Sequence, residues 1–364
     1  MILYKNSGVN QELGNICSKI MYEASRKTWK NRKGLSGEIK APIKNFSGIR
    51  FATIKQKQIL MNFDGVGTKI EIAERLSKLT KDFSYHKGIA HDLLAMVCDD
   101  AIIRGAEPIL VGSVLDVNKL NIDLVKNLAK GMKDAAKLAN VAVINGEIAE
   151  LGNRINGYGD YNYNWGATVL SVIDNKDIIT GKNIKAGNSI VVIKENGLRS
   201  NGLSLARKVL ELKLGKNWHM KNKKVAEQLL TKSIIYTKII LEIIKKARPK
   251  GLAHITGGGI PEKLGRILKP VKLGASLNNL FEPPAVVSYL QKLGNIQDKE
   301  TYSTWNMGNG MLIITNNPEG TIKIAKKYKI EAQVAGKIIK ENKIIIKSKA
   351  NFSKDKELIF NIKK

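Results

Sequence analysis

The chain has 364 residues, 61 of them Lys or Arg and 32 Asp or Glu, for a formal net charge of +29. Apolar residues make up 43%, enough to build a sizeable core, which excludes a disordered polybasic chain and a collagen-like repeat. Its two cysteines, Cys17 and Cys98, exclude a disulfide framework and a four-cysteine zinc site, and Cys98 reads as a small core residue of its helix.

Taken in order, the pattern predicts a helix over 13–28 and a basic loop over 30–49. No charged leader with an apolar stretch behind it follows Met1, so the chain reads as cytoplasmic. Next come a strand at 59–63, a helix at 88–104, a strand at 109–114, a helix at 124–138 and a strand at 141–145. A turn-rich run over 152–164 leads to a strand at 167–173, and the glycine-flanked stretch 181–187 reads as a linker. Beyond it the same alternation predicts a strand at 189–194, helices at 204–212 and 225–246, and a strand at 252–255. A short helix follows, then a strand at 271–277, a helix at 285–293, a strand at 311–315, a helix at 322–327 and strands at 332–336 and 343–347. The longest apolar helical stretch, 234–244, is interrupted by Lys238 and Glu242 and falls short of the about 20 residues a membrane crossing needs. Strands alternating with helices in both halves predict an α/β (α+β) protein of two domains, 1–180 and 181–350, with a tail at 351–364.

The charge invites a nucleic-acid partner, because each neutralised phosphate releases counterions. The lysines are nevertheless spread over almost every segment, and aromatic residues make up only 6% of the chain, so the interleaving of a single-strand binding groove is missing. A solvated, lysine-rich surface is the plainer reading.

Chemistry is legible at a few points. Asp64-Gly65-Val66-Gly67-Thr68-Lys69 follows a strand. Its glycines let backbone N–H groups approach phosphate oxygens, Lys69 adds positive charge and Asp64 offers a ligand to a divalent cation, although a plain strand-end turn explains Asp-Gly-x-Gly about as well. On the helix after it, Asp92 and Asp99 stand seven residues apart, two turns and about 10 Å along one face, with Asp100 beside them. That is either a magnesium surface or a solvated helix face. Glu147 and Glu150 follow an apolar strand, where α/β sheets expose ligand sites. Asn201, in Arg199-Ser200-Asn201-Gly202, and the run His254-Ile255-Thr256-Gly257-Gly258-Gly259 each precede a helix, suited to an anion or to a simple cap. The four histidines, His86, His91, His219 and His254, show no metal-ligand spacing and read as ordinary hydrogen-bonding residues, with His254 the exception for its neighbours.

In this order the motifs resemble the aminoimidazole ribonucleotide synthetase (phosphoribosylformylglycinamidine cyclo-ligase) family. The likeness runs from Gly8-Val9-Asn10 through Asp64–Lys69, Gly105-Ala106-Glu107-Pro108, the run 146–150, Ser200-Asn201-Gly202-Leu203-Ser204 and the run 253–259. It continues through Leu293-Gly294-Asn295-Ile296 to Thr304-Trp305-Asn306-Met307-Gly308-Asn309-Gly310-Met311. The sequence departs from the family pattern at Phe63, Asp99, Asn164 and Arg199 and in a shortened glycine-rich stretch at 45–50. The resemblance implies an N-terminal sheet that forms a barrel across a homodimer, a C-terminal helix-flanked sheet, and ATP with Mg²⁺ as cofactors. It also implies ATP-dependent ring closure of formylglycinamidine ribonucleotide in purine biosynthesis. Asp64, Lys69 and Asp92 would be catalytic, and Asp64, Asp92, Asp99 and Glu147 would face magnesium. Gly65, Gly67, Thr68, Asp99, Glu147, Asn201, Thr256, Gly257, Gly258 and Gly259 would bind ATP or substrate. The alternatives are a same-fold ATP enzyme resembling selenophosphate synthetase or thiamine-phosphate kinase, and a basic nucleic-acid-binding protein on a degenerated scaffold.

Overall fold

The computed structural model describes residues 38–40, 51–54 and 57–362. The helix expected at 13–28, Cys17 and the short glycine stretch at 45–50 lie outside the described residues. So does the loop expected at 30–49, apart from 38–40, which form a strand.

The first half is one six-stranded sheet. Its strands are β1 (Glu38–Lys40), β2 (Phe51–Ile54), β3 (Lys57–Gly65), β4 (Glu107–Val117), β5 (Ala142–Glu150) and β6 (Tyr163–Asp174), in the order β1-β2-β3-β6-β4-β5. Only β4 and β5 run parallel. Such a pair needs a long crossover, here helix α3 (Ile122–Ala139). Helices α1 (Lys69–Thr80), α2 (Ile89–Ile102) and α3 cover one face, which receives Leu60, Val111, Leu115, Trp165 and Val169. The period of two is clean on β6, whose alternate residues from Tyr163 to Ile173 are buried. The outer face carries Phe63 (67% exposed), Met61 and Val114.

The second half is a seven-stranded sheet of β7 (Ser189–Lys194), β8 (Gly251–His254), β9 (Gly274–Leu277), β10 (Asn309–Thr315), β11 (Ala332–Ile339), β12 (Lys343–Lys347) and β13 (Glu357–Asn361). The order is β13-β12-β9-β11-β7-β10-β8, with β12 and β9 the parallel neighbours. Its central strands are buried on both sides. Ile190, Val192, Leu312 and Ile314 join one core, together with α4 (Leu203–Leu214), α6 (Lys223–Leu229), α8 (Gly259–Leu268) and α9 (Ala285–Gly294). Val191, Ile193, Met311 and Ile313 join the other, with α7 (Thr237–Ala247) and α11 (Pro318–Lys327). The short helices α5 (Trp218–Lys221) and α10 (Asp298–Thr304) complete this half. Among the described residues no helix is long and apolar enough to cross a membrane.

Several elements differ from the sequence expectation: β2, α5 and α10 stand where none was expected, and three further differences bear on the site and the tail. Helix α1 stands where no helix was expected, directly after the glycine motif. The single helix expected at 225–246 is two, α6 and α7, separated by an irregular strap at 231–236. The tail at 351–364 contains β13, which pairs antiparallel with β12 through Leu358 and Phe360.

Candidate active site

Three helices begin at one junction between the halves. β3 ends at Gly65, and the chain turns through Gly67 at φ +69° into α1. The α1 cap residue Thr68 makes no side-chain cap bond; its Oγ1 lies 3.2 Å from Ser204 Oγ, in the first turn of α4. α4 starts after Gly202 at φ +75°, where a β-carbon would collide with the Trp305 ring, and Trp305 Nε1 donates to the Gly202 carbonyl at 3.1 Å. α8 starts after Gly258 at φ +88°, again without a side-chain cap, and Asn201 lies against Gly257. Each start leaves first-turn N–H groups without intrahelical partners, the donors an anion takes. Beside them Ser200 Oγ, Asn201 Oδ1 and His254 Nε2 are buried without a protein partner. Buried polar atoms are normally satisfied. A run of such atoms at a junction of glycine turns marks a place where something polar binds.

The acids expected to face magnesium do not gather at one point. Asp64 pairs with Ala167 in the β3–β6 register and Glu147 with Val114 in the β4–β5 register. Ala167 is buried on the helix side and Val114 is exposed on the outer side, so the sheet separates these two carboxylates. Glu147 is exposed, beside a cavity of about 670 Å³ that Phe63, Val114 and Thr168 also line and that Asp64 borders too, although its register sets its side chain on the other face. Asp64 lies toward α2. Burial pushes its carboxyl up to about 6, with Asp100 raising it further and Lys263 opposing. Asp100 accepts a hydrogen bond from His254 Nδ1 at 2.6 Å, which leaves Nε2 as the bare ring nitrogen. Burial lowers His254 to about 4, so the imidazole is neutral at pH 7.

Asp92 and Asp99 do share a face of α2, as their spacing requires, but it is an interior face: both are 0% exposed, neither on a solvated helix side nor open to a ligand. Asp92 Oδ1 accepts from Lys69 Nζ at 2.9 Å and from the Ser233 N–H at 3.1 Å, and Asp92 Oδ2 lies 2.8 Å from the same ammonium. Lys69 therefore turns inward; its Nζ also donates to the Thr231 carbonyl at 2.7 Å. Asp99 Oδ2 is 3.2 Å from the Arg199 guanidinium, and Asp99 also accepts from the Tyr236 N–H and from Thr237 Oγ1 at 3.0 Å. Arg199 pairs in addition with Glu195 at 2.6 Å. Two buried acids thus share one guanidinium, and burial pushes Asp99 up to about 7 against the pull of Arg199.

Among the described residues no three His, Cys, Asp or Glu side chains form a metal cluster. Asp64 and Asp100 fit a divalent cation best, because burial and, after it, the nearby Asp100 raise the Asp64 carboxyl, and a cation beside the two would relieve both costs. Asp99 does not fit, since both its oxygens accept from Arg199, Tyr236 or Thr237, and Asp92 fits poorly, since Lys69 Nζ already stands 2.8 Å from its Oδ2, an oxygen that makes no hydrogen bond. Arg199, Lys263 and the strap at 231–236 were not singled out as partners by sequence reasoning. The one signal was Arg199 itself, a cation set directly before Ser-Asn-Gly. Cys98, by contrast, is 0% exposed in the α2 core and His86 bonds Tyr163 and Ser77, both as expected.

A family model described as AIR synthase related protein, N-terminal domain, matches residues 49–173, and one described as the C-terminal domain of the same proteins matches residues 185–349. The chain is 39% identical over 313 residues to the phosphoribosylformylglycinamidine cyclo-ligase of Methanocaldococcus jannaschii, covering 83% of this chain and 85% of that protein. It is 34% identical over 358 residues to the protein of the same name from Carboxydothermus hydrogenoformans, covering 95% and 98%. Among solved structures it resembles the hydrogenase maturation protein HypE in complex with ATP, at a TM-score of 0.57 and 13% identity over 84% of this chain and 85% of that one, a likeness of fold.

Proposed function

This chain belongs to the AIR synthase related family, and from that premise we propose how its loop junction carries out the family's reaction. The protein is a phosphoribosylformylglycinamidine cyclo-ligase, a ligase of purine biosynthesis that uses ATP to close formylglycinamidine ribonucleotide into aminoimidazole ribonucleotide. An amide oxygen is a poor leaving group. It attacks the γ-phosphorus of ATP and ADP departs; the amidine nitrogen then bonds to the activated carbon, loses a proton, and expels the former amide oxygen as phosphate. Charge accumulates on phosphoryl oxygens, so fixed donors and cations stabilise the transition state.

The observation that carries the site assignment is the contact of Thr68 with Ser204, which brings the glycine turn of the first half against the Ser-Asn-Gly turn of the second. On our reading the Gly65–Gly67 backbone and Thr68 take one set of phosphate oxygens, and Asn201 with Thr256 and the Gly257–Gly259 turn takes another. Asp64 and Asp100 would hold Mg²⁺, which when bound neutralises phosphate charge; Lys263 adds a positive field from α8. His254 Nε2 and Ser200 Oγ face the same junction as acceptors for substrate N–H or O–H groups. The outer face of the first sheet, with Met61, Phe63 and Val114 uncovered, supports a homodimer in which two such sheets close on each other.

Incubating the purified chain with formylglycinamidine ribonucleotide, ATP and Mg²⁺ should yield ADP and aminoimidazole ribonucleotide in equal amounts, and Asp64→Asn should reduce kcat about 100-fold or more. Absence of product at high enzyme concentration would overturn the assignment.

A further inference from the structure

We propose that Asp92 and Asp99 are positioning residues that strap the second half onto α2, and that neither is a ligand of the metal; this rests on the proposed function only for its kinetic arm. The four side chains Lys69, Asp92, Asp99 and Arg199 are all 0% exposed. Asp92 gathers Lys69 Nζ together with the N–H and Oγ of Ser233, and Asp99 gathers Arg199 with the Tyr236 N–H and the Thr237 hydroxyl. Two turns of one helix thereby hold both ends of the strap. A divalent cation at Asp99 would have to displace the buried guanidinium, and one at Asp92 Oδ2, which makes no hydrogen bond, would face the buried Lys69 ammonium 2.8 Å from that oxygen, and either arrangement leaves a cation without its counter-charge in the interior, which is strongly unfavourable.

The strap is what the junction leans on. Thr231, whose carbonyl accepts from Lys69, packs against Gly197, where a β-carbon would overlap it. Asn306 Nδ2 holds the Gly197 carbonyl from the other side at 2.8 Å. Two residues on, Arg199 sits at φ +59°, a left-handed conformation costly for a long side chain and sustained only where its surroundings over-determine it. Its guanidinium, fixed between Asp99 and Glu195, supplies that constraint. Ser200 and Asn201 follow at once, so their unpartnered oxygens are aimed by the ion pair behind them. Lys69 does the same for the first half, because it is the first residue of α1, immediately after the glycine turn.

The test uses the full-length protein with Asp99→Asn, Asp92→Asn, Arg199→Lys and, as control, Asp64→Asn. Mn²⁺ binding is followed by water-proton relaxation in the presence of a non-hydrolysable ATP analogue, so it is read without turnover. Asp99→Asn and Asp92→Asn should keep Mn²⁺ affinity within about twofold of the parent, while Asp64→Asn loses tenfold or more. Amide exchange over 197–204 and 231–237 should speed up at least tenfold in both strap variants and stay unchanged in the control. In the cyclisation assay the strap variants should raise KM for the ribonucleotide at least tenfold with kcat within threefold, and half-saturation by Mg²⁺ should not move. Arg199→Lys, which retains the charge, should recover most of the exchange protection and keeps the test readable if a carboxylate variant fails to fold. A tenfold loss of Mn²⁺ affinity in Asp99→Asn or Asp92→Asn, or unchanged exchange over 197–204, overturns the proposal. A parent protein that binds Mn²⁺ but makes no aminoimidazole ribonucleotide overturns the proposed function alone.

Discussion

The two sheets of this chain are built from similar residues and end up in opposite situations. In the second, Ile190 and Val192 enter one core and Val191 and Ile193 the other, so every side chain of the run is covered. In the first, helices cover one face only, and Met61, Phe63 and Val114 remain outside. A continuous apolar run marks a strand buried on both faces, whereas alternation marks one finished on a single face. Among the described residues no helix covers that face, and an apolar patch of this kind is where another surface packs.

The comparison can be tested directly. Truncating Ile313, on the doubly covered strand β10 between β7 and β8, should cost about 2–5 kcal/mol in urea unfolding, because its packed neighbours close only part of the cavity. Phe63→Glu should leave unfolding of the dilute monomer within about 0.5 kcal/mol of the parent while shifting sedimentation from dimer to monomer. If the parent is already monomeric at high concentration, the open face has no second copy as its cover. The third test concerns pH. His86, packed between Ser77 and Tyr163 on the covered side of the first sheet, is pushed by burial from its ordinary 6.5 down to about 3. As pH falls below 6.5 the unfolded chain takes up this proton first, so its contribution is fully present above 6.5 and is lost toward 3, at about 1.4 kcal/mol per pH unit. His86→Gln should flatten the acid limb of the stability curve by one proton, without moving its slope above pH 7.

Much of the fold was legible from local pattern. The run Ser189–Lys194 and the alternating Lys343–Lys347 are strands with the bounds their composition suggests, and the apolar stretch after Gly88 is α2. What escaped depends on distant partners. The strap at 231–236 carries residues that continue a helical pattern, yet its Ser233, Ile234 and Tyr236 amides are claimed by Asp92, Glu195 and Asp99. α1 was hidden behind the glycine motif, since its charged Glu71, Glu74 and Arg75 look like a surface stretch, although Glu74 and Arg75 are buried. β13 is a strand because β12 offers it an edge. For the site, periodicity correctly set Asp92 and Asp99 on one side of α2. Which way that side faces is a property of packing, and no spacing rule contains it.

The strap also bears on how the chain folds. Asp99 lies in the first half, but the groups that bind its carboxylate, Arg199, Tyr236 and Thr237, lie in the second. If the link between β6 and β7 were cut and the halves separated, Asp99 would lose its counter-charge and the donors of the strap together, and Arg199 one of its two carboxylates. The halves are therefore unequal to independent life. Their melting should be one cooperative transition rather than two, and a duplication, a swap or a transplant of either half alone should fail unless residue 99 is changed with it.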